Sequence, residues 1–202
     1  MSGVASTPPN PKRSKQVKVA ALAFTIAILA IGYDAFGFWT TMIFTSGFLG
    51  GYLLWLAFPA EPDFQKIKAP YWTVIVLFLG HRIEEKVSGF FARLSVITGV
   101  ETPEVTSAPV IAIVLCSVGA WLIAPALVKR KLSFGYYLMW TLFAAMGITE
   151  LAHIFVFPFF SEPVLQYFPG MISVVFLAPA AWWGMRTLAK DKSLIYSVKN
   201  VL

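Results

Sequence analysis

The sequence predicts an all-α fold, a polytopic membrane helix bundle of about six transmembrane helices. Three observations carry that prediction. Of 202 residues, 58% are hydrophobic and 13% charged, where a soluble domain carries ~45–50% apolar and ~25% charged residues. The apolar residues fall into six runs, each near the ~20 residues that one bilayer crossing needs. Lysines and arginines collect in alternate connections, the pattern that orients membrane proteins. Mean hydropathy is +0.73. A chain of this length suits one bundle and leaves no room for a second soluble domain.

Residues 1–18 read "MSGVASTPPNPKRSKQVK". Pro8, Pro9, Pro11 and four cations predict a disordered cytoplasmic tail. The span at 19–37 has no clear small-x-small cleavage site, and apolar sequence resumes directly after it, so a retained span is expected rather than a signal peptide. The short join "DAFGFWT" predicts a tight hairpin with the second span, 40–59. The third span is expected at 70–90 and the fourth at 108–128. The fifth, 133–160, is long, with Pro158 placed to kink or end it. The sixth, 167–188, opens at "QYFPG", where Pro169 suits a first helical turn. Residues 189–202 form a second cytoplasmic tail. Trp140, Trp182 and Trp183 read as packing or interfacial residues. "SGFLGGY", Ser46 to Tyr52, supplies small residues for close helix contact, with a homo-oligomer through it as the lesser expectation.

Charge placement sets the orientation. Lys12, Arg13, Lys15, Lys18, Lys66, Lys68, Lys129, Arg130, Lys131, Arg186, Lys190, Lys192 and Lys199 all fall on one side of a six-span arrangement. The other side has Arg93 beside Glu101, Glu104 and Glu162. The basic side is cytoplasmic by the positive-inside rule, which puts both termini in the cytosol. The net charge of +6 is thereby explained by topology, and no nucleic-acid partner is expected. Cys116 is the single cysteine, so no internal disulfide can form. No Walker or Rossmann glycine pattern and no serine-nucleophile elbow is found, which removes nucleotide and serine-hydrolase chemistry.

The two histidines, His81 and His153, each lie within a predicted span, three residues from a glutamate. In "HRIEEK", His81, Glu84 and Glu85 share about a third of the helix circumference, with Arg82 and Lys86 on the flank. In "TELAH", Glu150 and His153 share a face. Both groups, with Asp34 and the YFPG helix start, come to one level in the outer half of the bilayer. Ionisable groups at such depth are functional candidates. Three readings stay open. One is a divalent metal site (zinc, iron or manganese), because Glu-x-x-His on facing helices is how carboxylate bundles present ligands. Asp34 is a further candidate ligand. The second is metal-free acid–base chemistry of an isomerase or cyclase type. The third is structural or non-enzymatic: Arg82 and Lys86 neutralise Glu84 and Glu85 in a small transporter or an assembly or immunity factor.

"HRIEEK", the downstream "ELAHIFVFPFF" histidine and the "YFPG" helix start, in that order, resemble the HXXEE family of small bacterial multi-pass membrane proteins. The resemblance spans roughly Tyr71 to Thr187 and implies a shared site at His81, Glu84, Glu85, His153, Tyr167, Pro169 and Gly170, in a bacterial inner membrane. It departs at Glu150, where that family usually carries asparagine. It implies no particular reaction. The leading expectation is a membrane enzyme acting on a lipid-soluble substrate, an isoprenoid or acyl lipid. His81, Glu85, Glu150 and His153 would bind the metal. Glu84 would be a proton shuttle or supporting group, and Tyr167 a hydroxyl donor to substrate.

Overall fold

The computed structural model describes residues 13–102 and 104–190; of the tails expected at 1–18 and 189–202, residues 1–12 and 191–202 lie outside the described residues, while Lys15 to Lys18 are helical rather than disordered. All regular structure among the described residues is helical: α1 (Lys15–Ala57), α2 (Phe64–Val87), α3 (Phe90–Thr98), α4 (Ala108–Lys129), α5 (Ser133–Gly147), a 3₁₀ turn (Thr149–Leu151), α6 (Ala152–Phe155), a second 3₁₀ turn (Phe157–Phe159) and α7 (Met171–Ala189). Four stretches are long and apolar enough to cross a membrane: α1, α4, Ser133–Phe159 and α7. Outward-facing side chains are greasy, Ile26, Val76, Ile83, Leu115 and Phe176 each being more than half exposed. Polar groups are sequestered inside instead, the reverse of a water-soluble bundle.

A straight helix of 43 residues would hold its ends about 60 Å apart. The ends of α1 are adjacent. Arg13 donates to the Trp55 and Phe58 carbonyls, pairs with Glu61 at 3.2 Å, and lies over the Trp55 ring. The reversal is at Gly37, whose φ of 74° and ψ of −174° break the helix where the short join predicts a hairpin. A side chain there is strained by the positive φ and would also meet Val100.

α5 is the central stave: every residue from Gly135 to Gly147 is buried. Both arms of α1, with α4 and α7, pack around it. Gly47 and Gly51 bring the second arm of α1 onto it, for a Cβ on Gly51 would sit 2.7 Å from Thr141 Cα and one on Gly47 2.8 Å from Ala145 Cα. The "SGFLGGY" stripe is thus used within the chain. Lipid is as apolar as leucine, so such close backbone packing supplies dispersion contacts that hydrophobicity cannot.

One end of the bundle is basic. There the α1 ends meet the start of α2 and the α4–α5 turn: Lys131 pairs with Asp63, Lys129 lies over the Phe64 ring, and Tyr136 donates to the Pro62 carbonyl at 3.0 Å. α2 runs away from that end with a strict helical stripe: Ile67, Tyr71, Val74, Phe78, His81 and Glu85 point inward, while Trp72, Val76, Leu79, Ile83 and Val87 point outward. His81 is therefore about 25 Å along the axis from the basic end.

Two features differ from expectation. The fifth span breaks at Ile148 (φ −125°, ψ −55°), well before Pro158, which sits in the second 3₁₀ turn. The break frees the Gly147 carbonyl, and Trp182 Nε1 donates to it at 2.7 Å. Ser46 and Thr149 hydroxyls meet at 3.1 Å and tie the break to α1. The helix expected at 70–90 runs Phe64–Val87 and is not among the four stretches long and apolar enough to cross a membrane, and a separate helix follows it. Gly89 turns the chain in the left-handed region (φ 74°), and α3 buries Phe90 and Leu94 against Ala152, Phe157 and Phe168.

The glycine packing makes a paired prediction. Gly51→Val should cost about 1–3 kcal/mol, because the intruding Cβ meets backbone rather than a mobile side chain. Gly50→Ala, with open space at its Cβ, should be neutral or stabilising by up to ~1 kcal/mol. Thermal unfolding of both variants in one detergent reads the difference.

Candidate metal centre

His81 and Glu85 come from the last turns of α2; Glu150 and His153 come from the broken end of the fifth span. All four are buried. The sequence placed "TELAH" on one continuous helix. The structure places Glu150 in the 3₁₀ turn and His153 on α6, still on one side, with 3.1 Å between His153 Nε2 and Glu150 Oε2. The remaining cross-distances are 3.2 Å for His81 Nε2 to Glu150 Oε2, 3.4 Å for His81 Nε2 to Glu85 Oε1, and 3.3 Å for His153 Nε2 to Glu85 Oε1. One ligand atom from each residue lies within 4.8 Å of the other three. Four-coordinate sites with ~2.0–2.1 Å bonds have ligand–ligand edges of roughly 3.3–3.4 Å, close to these four imidazole–carboxylate separations, so the group could hold one ion.

The outer faces of these groups are fixed. His153 Nδ1 lies 2.5 Å from the Pro169 carbonyl, which can only accept. Nδ1 therefore carries a hydrogen, and the ring turns Nε2 to the centre. For His81, Nδ1–H donates to Ser173 Oγ at 2.8 Å and the Ser173 hydroxyl donates to the Gly170 carbonyl at 3.2 Å, which leaves Nε2 facing Glu150 Oε2 and Glu85 Oε1. Two imidazole Nε2 atoms and two carboxylate oxygens then face one point. Glu85 Oε1 is buried there without a hydrogen-bond partner among the described residues. A positive charge at that point is what the arrangement lacks.

Arg82 bridges the far side of both carboxylates, meeting Glu85 Oε2 at 2.7 Å and Glu150 Oε1 at 2.6 Å. Arg82 thus pairs with Glu85 as expected and reaches across to the fifth span as well, whereas Glu84 turns elsewhere and Lys86 is exposed. The ring of Phe90 lies 5.1 Å from His153, so α3, which the hydropathy pattern did not reveal, closes the site.

Glu84 turns the other way. Its carboxylate accepts from the Tyr167 hydroxyl at 2.7 Å, from Ile172 N at 3.1 Å and from Ser173 N at 2.8 Å. The start of α7 has Gly170 as its own cap and no capping side chain, so Glu84 satisfies its free N–H groups from another helix. Glu84 therefore touches Ser173, which touches His81: a supporting position rather than one facing the four atoms. Tyr167 is also engaged there, at the surface. Partial burial and the Glu84 carboxylate, which outweigh the Ser88 contact, hold its hydroxyl above the ordinary tyrosine value, so it stays a donor. Asp34 is exposed and stands outside the four-residue group.

Gly170 explains "YFPG". Its φ is 94°, and a Cβ would sit 2.5 Å from His153 Nδ1 and 2.7 Å from His81 Cε1. Both imidazoles rest on its bare Cα, with ring centroids 4.9 Å apart and planes at 86°.

Beside the centre is a cavity of about 390 Å³, walled by Phe48, Phe78, Ile113 and Trp121, with Arg82 and Glu150 its only charged lining. A smaller space of about 50 Å³ touches Glu85, Glu150 and His153 directly. The larger volume falls within the ~300–1,000 Å³ of small-molecule sites.

Family models, curated proteins and solved structures were compared with the chain, and none matches it.

The role found for Glu84 is testable. Glu84→Ala should lower stability by about 0.5–2 kcal/mol, the usual cost of losing a helix cap. Thermal unfolding measures this; an unchanged midpoint would remove the capping account.

Proposed function

We propose that the chain is a metal-dependent membrane enzyme, crossing the bilayer six times, that acts on a lipid-soluble substrate of the isoprenoid or acyl-lipid kind. The observation that carries the reading is the convergence of His81 Nε2, His153 Nε2, Glu85 Oε1 and Glu150 Oε2 on one buried point, with the tautomers set from behind. Two nitrogens and two carboxylate oxygens suit zinc, iron or manganese. The six crossings are the two arms of α1, α2, α4, the Ser133–Phe159 segment and α7. The basic end would be cytosolic by the positive-inside rule, which places the centre in the outer leaflet half of a bacterial inner membrane. Membership of the HXXEE family belongs to the same proposal; the histidine and the second glutamate of its motif are the two that reach the centre.

A divalent cation there supplies Lewis acidity or an activated water at neutral pH. The chain's own groups do the rest. Arg82 holds both carboxylates by their outer oxygens. Ser173 and the Pro169 carbonyl orient the imidazoles. Phe90, Phe157 and Phe168 exclude water around His153. The apolar cavity delivers a hydrophobic molecule against Glu150. The same 3.1–3.4 Å separations also allow a shared proton between imidazole and carboxylate, which is what the metal-free acid–base reading requires.

Elemental analysis of the purified protein separates the two readings. About one divalent ion per chain is expected, with loss of stoichiometric metal in His81→Ala and His153→Ala. Ser173→Ala should weaken metal affinity by about 10–100-fold, the usual effect of losing an orienting partner. Gly170→Ala should abolish binding, whereas Gly50→Ala should leave it unaffected. Native protein without stoichiometric metal, after incubation with zinc, iron and manganese, would reject the metal centre.

A further inference from the structure

The 390 Å³ cavity has one polar end and one open side, and together they define what fits it. Its open side lies between α2 and α4, which meet only sparsely. Leu79 on α2 and Val114 on α4 line the cavity and are 57% and 50% exposed on the apolar outer surface. In a bilayer that opening faces lipid tails rather than water. The wall inside is aromatic and aliphatic. The polar end is Arg82, beside Glu150. The Arg82 side chain is 41% exposed although its two terminal nitrogens already hold Glu85 and Glu150. A guanidinium keeps its charge and carries more N–H donors than two carboxylate oxygens use.

We infer that the cavity binds a single-chain apolar molecule that enters sideways from the membrane between α2 and α4 and sets one hydrogen-bond-accepting oxygen against Arg82. The volume holds roughly a dozen non-hydrogen atoms, taking ~30 Å³ for each water-sized group. An accepting oxygen matches the donor-only guanidinium. A head without oxygen leaves the donors unmatched, and unmatched buried donors cost more than imperfect packing does. This deepens the enzyme reading by naming the chemistry of its substrate, and it rests on that reading for the claim of turnover but not for the claim of binding.

The test uses the full chain in phospholipid nanodiscs and a decanoic acid bearing a photoreactive diazirine at its chain end. Label should map by mass spectrometry to peptides containing Phe48, Val118 or Trp121, in spite of the excess of phospholipid chains. Decanoic acid and decanol should compete for it at least tenfold better than decane. Val114→Trp, at the exposed mouth where folding is not at stake, should reduce labelling at least tenfold without changing metal content. Val118→Trp, inside the cavity, should do the same. Label on outer helix faces, label insensitive to both tryptophan variants, or equal competition by decane would overturn the inference. Metal content of the same samples separates the two claims: metal without cavity label rejects the ligand, and cavity label without metal rejects the enzyme centre while the ligand site stands.

Discussion

Two carboxylates buried in an apolar bundle are the constraint around which the far half of this chain is arranged. The effective cost of removing an ion from water is several kcal/mol even after relaxation. Arg82 answers part of it by meeting Glu85 and Glu150 together. That leaves one negative charge and two imidazole Nε2 atoms focused on one point. A divalent cation bound there, as proposed, would offset that charge and accept all four atoms.

The local irregularities of the fold serve that point. The break at Ile148 lets the fifth span turn so that Glu150 and His153 face α2, and Trp182 satisfies the carbonyl the break exposes. Gly170 starts α7 in a conformation that only glycine adopts readily, and its missing side chain is the floor under both imidazoles. Glu84 then holds the start of α7 against α2, and through Ser173 the same contact orients His81. Capping and ligand orientation are thus one network, so damage to the α7 start is expected to reach the centre.

Much of this was legible in the sequence because membrane cost makes polar residues conspicuous. A chain with two histidines, each beside a glutamate in an apolar run, allows few partners, and His81, Glu85, Glu150 and His153 do meet. The hairpin at "DAFGFWT" was equally readable, since so short a join between two spans allows little else. Other features were hidden for physical reasons. Glu84 and Glu85 are adjacent, and helical spacing alone does not decide which of two neighbouring acids points inward. The packing of α7 decides it. α3 is short and amphipathic, so it leaves no span-length signal. Ser173 and the Pro169 carbonyl act by position, and neither residue type announces itself.

The central claim is that two imidazole nitrogens and two carboxylate oxygens share one ion. X-ray absorption spectroscopy of the zinc-loaded protein tests it most directly. The account predicts a first shell of nitrogen and oxygen at about 2.0–2.2 Å, with the multiple-scattering signature of two imidazoles, reduced to one in His153→Ala. A shell of water oxygens without imidazole scattering, or a spectrum unchanged by that substitution, would contradict it.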